Sequence, residues 1–189
     1  MNILRIAFAG AAFVACAAGA TLAQAAENLT IQLKDGPVVI ELLSDVAPKH
    51  VERIKELATA GEYDNVAFHR VIDGFMAQTG DVEFGDMEDG YQPQRAGTGG
   101  SSKPNLPAEL SEVPFERGTV GMARSQDPNS ANSQFFIMFA PGDFLNGQYT
   151  VVGKVVEGME NVDKIKRGDE AANGSVNDPD RMIKVTAGE

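Results

Sequence analysis

Apolar and polar residues alternate strictly over Asn28–Lys34, placing Leu29, Ile31 and Leu33 on one face. A second short apolar run, Val38–Leu42, follows after Asp35-Gly36. Two such runs flanking Asp-Gly predict a β-hairpin, because that dipeptide tolerates the positive φ values of a tight turn. The period then changes. Val51, Ile54 and Leu57 recur three apart, which predicts a helix with Asp45 as its cap, running to about Ala60 and stopped by Gly61. Further strands are predicted at Val66–Ile72, Phe75–Gln78, Thr119–Ala123, Phe135–Phe139, Thr150–Val156 and Met182–Val185, with a second short helix over Met159–Arg167. Residues 82–117 are rich in Gly, Pro and acidic positions and read as long loops. Seven or more short strands with two helices point to a mostly β domain, a closed barrel or a sandwich.

The N-terminus follows a different logic. Arg5 is the only charged residue among the first 25, and Ile6–Ala26 is an uncharged run that passes the small-residue site Ala23-Gln24-Ala25. This is the pattern of a secretory signal peptide cleaved after Ala25, leaving a domain over 26–189 and a periplasmic location. A membrane anchor is the competing reading, but eleven of those 21 residues are Ala, a weak apolar span. Phe13-Val14-Ala15-Cys16 also loosely resembles a lipidation site, so acylation of Cys16 is the minor alternative. No stable membrane insertion is expected after cleavage. Cleavage would also remove Cys16, the one cysteine of the chain, leaving no thiol to mispair in an oxidising compartment.

Charge and composition then narrow the chemistry. A formal net charge of -11 with no local basic cluster argues against nucleic-acid binding. One cysteine and two histidines cannot build a Cys- or His-based metal site, and no metal or cofactor is expected. Gly97-Thr98-Gly99-Gly100 lacks the Lys of a phosphate loop, Asp86–Gly90 places its glycine one position early for a calcium loop, and no nucleophile elbow exists. His69, in an apolar strand, reads as a hydrogen-bonded structural histidine.

Two segments are more specific: Phe68-His69-Arg70-Val71-Ile72-Asp73-Gly74-Phe75-Met76-Ala77-Gln78-Thr79-Gly80-Asp81 and Asn132-Ser133-Gln134-Phe135-Phe136-Ile137. With Gly97–Gly100, Gly118–Ala123, Phe144-Leu145-Asn146-Gly147 and Val152–Met159, they resemble the cyclophilin family of peptidyl-prolyl cis/trans isomerases in order and spacing over residues 28–186. The resemblance implies an eight-stranded antiparallel barrel, closed and capped by two α-helices, with the active groove on its outer face. It places the catalytic arginine at Arg70 and polar groove residues at Gln78 and Gln134, the latter acting on the carbonyl side of the rotating bond. Phe75, Met76, Phe136 and Leu145 become the proline pocket. Ala123, Arg124 and Ser125 pair with substrate backbone, Gly97 and Thr98 line the rim, and Phe144 and Tyr149 complete the binding surface. Pattern alone leaves a plain barrel core with a surface arginine as the alternative for these residues.

Phe144 stands where many eukaryotic members carry Trp and Tyr149 where they carry His, both resembling the bacterial branch, and Arg124 stands where Asn is common, at a position the family uses mainly through its backbone. The run Ser125–Asp127 is one residue longer than the common pattern, and the 82–96 loop is also long. The expected partners are proline-containing unfolded or partly folded polypeptides, with weak cyclosporin binding and a monomeric state. The expected function is isomerisation of X-Pro bonds in exported proteins during folding. A binding module that keeps the groove but turns over slowly is the competing class.

Overall fold

The computed structural model describes residues 27–188. The segment read as a signal peptide, with Cys16, lies outside the described residues. Among the described residues no helix is long and apolar enough to cross a membrane. Eight strands form one antiparallel sheet: β1 (Asn28–Leu33), β2 (Gly36–Leu42), β3 (Arg70–Ile72), β4 (Met76–Thr79), β5 (Thr119–Met122), β6 (Phe135–Met138), β7 (Val151–Glu157) and β8 (Lys184–Ala187). Helix α1 spans Pro48–Ala60 and α2 only Met159–Val162. No strand or helix interrupts the stretch between β4 and β5, as its Gly- and Pro-rich composition predicts.

The strand order is β3-β4-β6-β5-β7-β2-β1-β8. The sheet curls into an open half-barrel rather than the closed barrel expected, because β3 and β8 share no ladder. Isolated backbone contacts span that gap: Ala67 bridges Arg181, Asn65 N–H donates to the Met182 carbonyl at 2.6 Å, Met182 N–H to the Val66 carbonyl at 2.9 Å, and Phe68 N–H to the Asp180 carbonyl at 2.8 Å. The same fact shortens the strand predicted at Val66–Ile72 to three residues, since its first half has only bridge partners. The predicted strand at Met182–Val185 likewise shifts to β8, while the hairpin forms as predicted, with Leu33 opposite Gly36.

Alternation sets the core. Leu29, Ile31 and Leu33 of β1 and Val38, Ile40 and Leu42 of β2 are buried in one cluster with α1 residues Val51, Ile54 and Leu57. Burying one such side chain contributes about 1.5–3 kcal/mol. Gly61 ends α1 with φ 76°, a left-handed geometry that a side chain resists, and its N–H closes on the Leu57 and Ala58 carbonyls.

Asp45 does not cap α1: the capping position is Ala47, followed by Pro48, and Ala47 makes no side-chain capping bond. Instead, Glu109 reaches in from the long loop. Its carboxylate accepts the N–H groups of Lys49 (3.2 Å) and His50 (3.1 Å), and Oε2 lies 2.6 Å from His50 Nδ1. An anion there answers the unpaired donors and partial positive charge of a helix start. Burial pushes the Glu109 carboxyl up, but the bonds from His50 and Lys49 outweigh it and hold it below its ordinary value. Helix α2 also ends earlier than the predicted Arg167, giving way to turns.

Candidate active site

Strand register places the site. In antiparallel pairs, directly opposed residues share a face. Arg70 opposes Gln78, Gln78 opposes Phe136, and Phe136 opposes Gly121, giving one row across β3, β4, β6 and β5. The next row on that face is Ile72, Met76 and Met138. The intervening row, Val71, Ala77, Ile137 and Val120, points to the opposite face and joins the main core. The outward rows build a second apolar cluster of Met76, Phe115, Phe136, Met138, Leu145 and Val151, with Ile72, Phe75 and Tyr149 at its margin.

This cluster floors a cleft of about 300 Å³ lined by Arg70, Phe75, Met76, Gln78, Ala123, Arg124, Phe136, Phe144, Leu145 and Tyr149. Phe136 and Phe115 stack at 5.7 Å between ring centroids, and Tyr149 meets Phe136 edge-on at 5.9 Å. Gly121 permits that stack: a Cβ there would stand 2.6 Å from both the Phe115 and Phe136 rings. Phe75 packs against Phe144 at 5.6 Å, and Phe144 is 71% exposed, at the rim.

The polar wall is a chain of hydrogen bonds. Arg70 Nη1 donates to Gln78 Oε1 at 3.2 Å, Gln78 Nε2 to Gln134 Oε1 at 3.0 Å, and Gln134 Nε2 to the Gly99 carbonyl at 2.8 Å. Partial burial pushes the Arg70 guanidinium down from its ordinary value, opposed by Tyr149. The group nevertheless keeps its charge at physiological pH. Arg124 lies 4.2 Å above the Tyr149 ring and donates to the Ser125 and Gln148 carbonyls, both at 2.9 Å.

Ten of the residues singled out from the sequence thus meet in one cleft. The other four, Gly97, Thr98, Ser125 and Gln134, line an adjoining cleft of about 250 Å³ that shares Gln78, Ala123 and Arg124 with the first. The rim is fixed by Asp81, which is fully buried. Its Oδ1 accepts the N–H groups of Glu83 and Phe84, and its Oδ2 those of Gly97 (2.7 Å) and Gly99 (2.9 Å). One carboxylate therefore ties both ends of the 83–99 loop.

His69 is buried beneath this rim, and among the described residues neither ring nitrogen makes a well-aligned hydrogen bond, unlike the hydrogen-bonded state expected for it. Its ring packs against Gly97, where a Cβ would stand 2.9 Å from it. Among the described residues no group of three or more potential ligands could hold a metal ion. Sequence reasoning passed over Gly99, Asn132 and Asn173, which contact or line the two clefts or bond Arg70. Only the turn dipeptide Asn173-Gly174 carries a local signal.

The model for the family described as cyclophilin type peptidyl-prolyl cis-trans isomerase/CLD matches residues 28–187. A probable peptidyl-prolyl cis-trans isomerase of Brucella suis is 64% identical over 190 residues, covering 98% of this chain and 97% of the relative. Peptidyl-prolyl cis-trans isomerase B of Escherichia coli K12 is 38% identical over 146 residues, covering 73% and 83%. A cyclophilin-type isomerase of Cryptosporidium parvum, solved in the presence of the dipeptide Ala-Pro, aligns with a TM-score of 0.72 at 27% identity, covering 86% of this chain and 99% of its own. With the fold, the clefts and these likenesses together, the chain belongs to the cyclophilin-type peptidyl-prolyl cis-trans isomerases.

Proposed function

We propose that the chain accelerates cis/trans rotation about X-Pro bonds in exported polypeptides, with Arg70 as the catalytic group. Rotation about a peptide bond meets a barrier of about 18–20 kcal/mol because amide resonance is lost, and no covalent bond has to break. Preferential binding of the twisted amide is sufficient, and each 1.36 kcal/mol of preference gives about a tenfold rate. As resonance is lost the prolyl nitrogen regains a lone pair. Arg70 supplies a charged donor beside a pocket of Phe75, Met76, Phe136 and Leu145 that seats the ring away from water. Gln134 Nε2 spends one N–H on Gly99 and keeps a second for the carbonyl side of the bond.

The observation that carries this reading is the convergence, in one cleft, of a braced guanidinium with an apolar ring-sized pocket. Backbone at Ala123–Ser125 then serves as the substrate-pairing edge, with Gly97 and Thr98 at its far rim. The role in folding exported proteins and a periplasmic location rest on the charge and small-residue pattern of the first 25 residues. The protein acts as a monomer in this reading.

The test is two-dimensional exchange NMR on a short proline peptide. Cis–trans cross-peaks on a sub-second timescale after adding catalytic amounts of protein are expected. Saturable binding without such exchange would establish a binding module instead.

A further inference from the structure

Arginine carries five N–H donors in a rigid fork. In Arg70, Nη1 donates to Gln78 Oε1 and to Met76 Sδ, both in the proline cleft, but the bonds of Nε and Nη2 end on a single residue outside it. Nε donates to the Asn173 carbonyl at 3.0 Å, and Nη2 donates to Asn173 Oδ1 at 3.1 Å. Asn173 therefore grips the guanidinium along one edge and leaves an Nη2 N–H free.

That grip is itself braced. Asp169 accepts the Ala171 N–H at 2.9 Å and starts the short 3-10 turn Glu170–Ala172, which ends at Asn173. Asn173 has φ 55°, a left-handed conformation that asparagine adopts far more readily than most residues with side chains. The segment is fastened to the outer edge of β3 beside Arg70: Gly168 N–H donates to the Val71 carbonyl and Val71 N–H to the Gly174 carbonyl, both at 2.8 Å. Val176 N–H donates to the His69 carbonyl at 3.1 Å. The strand edge left open by the half-barrel is thus covered by the segment that holds Arg70.

We propose that Asn173 is a positioning residue for the isomerisation: its side-chain oxygen fixes the fork so that the free Nη2 N–H of Arg70 faces the prolyl nitrogen. This rests on the assignment of the rotation to Arg70. Because Asn173 does not line the proline cleft, its loss should slow rotation without weakening peptide binding.

The test compares wild type, Asn173→Gly, Asn173→Asp and Arg70→Ala. Glycine keeps the positive φ and the backbone carbonyl and removes only the side-chain acceptor; aspartate restores an acceptor. Displacing a reacting group by about 1 Å costs up to about 10²-fold, and the bound-state exchange rate of a proline peptide is expected to fall about tenfold in Asn173→Gly, with Kd within about twofold. The melting temperature should hold, the Arg70 side-chain N–H signals should exchange faster with water, and Asn173→Asp should recover most of the rate. If Arg70→Ala is slow while Asn173→Gly turns over like wild type, the inference falls and the role of Arg70 stands. If Arg70→Ala is fully active, both fall. Equal losses in Asn173→Gly and Asn173→Asp would show that the acceptor is not what matters and would likewise overturn it.

Discussion

A buried histidine next to the proposed catalytic arginine makes stability depend on pH. His69 is 7% exposed, and burial pushes its ring down to about 4 from an ordinary value of 6.5. The Asp81 carboxylate and the Ala67 backbone oppose this and the Arg70 charge adds to it, each by less than burial. Between those two values the unfolded chain takes up a proton that the native ring refuses. Native stability is therefore complete above pH 6.5 and falls as the pH drops towards 4. At 1.36 kcal/mol per pH unit the loss totals roughly 3 kcal/mol. Carboxyls held below their ordinary values, at Glu27, Asp73, Glu109 and Asp163, lose their contributions at more acidic pH.

Urea denaturation of wild type and His69→Gln at pH 7.5, 6.5, 5.5 and 4.5 measures the effect, and contributions shared by both proteins cancel in the difference. Wild type should lose roughly 2–3 kcal/mol more than the variant across that range. Parallel profiles would refute the burial argument, as would an NMR titration midpoint near 6.5 for the His69 ring.

Three other outcomes are expected. Phe144→Trp should bind cyclosporin about tenfold or more tightly than wild type by calorimetry, because the indole N–H gives a ligand acceptor a partner whose absence costs about 1–3 kcal/mol; equal, tight binding by both would contradict this. Asp81→Asn should lower the urea midpoint by an amount equivalent to about 1–3 kcal/mol, since an amide places an NH₂ against N–H groups that need an acceptor; an unchanged midpoint would remove Asp81 as the tie of the loop. Mass spectrometry of the protein from its native host should find Ala26 at the N-terminus, whereas an acylated Cys16 there would establish lipidation.

The β1–β2 hairpin was legible because its residues alternate cleanly between core and solvent sides. β5 and β6 were legible as strands but not in their orientation. Thr119–Met122 and Phe135–Met138 are buried throughout, on the main core through Val120 and Ile137 and on the cleft cluster through Phe136 and Met138. Period-two patterning then carries no sign of which face is the site, and only the family motif turned Phe136 outward. Helix α1 was legible from Val51, Ile54 and Leu57, yet its start was not. Its capping carboxylate, Glu109, lies about 60 residues away and has no local signature. The open seam between β3 and β8 and the hold of Asn173 on Arg70 are non-local in the same way, with 103 positions separating Arg70 from Asn173. The close approach of Gly97 to the His69 ring, from a loop 28 positions on, is likewise something periodicity does not reveal.

The most direct test of the central claim is the exchange rate of a proline peptide in the presence of Arg70→Ala and Arg70→Lys, measured beside wild type with circular dichroism as a check of folding. If the guanidinium donates to the twisted amide, both variants fold normally. Arg70→Ala then loses most of its turnover, and Arg70→Lys remains poor because a point charge lacks the fork. Wild-type exchange by a folded Arg70→Ala would contradict the account.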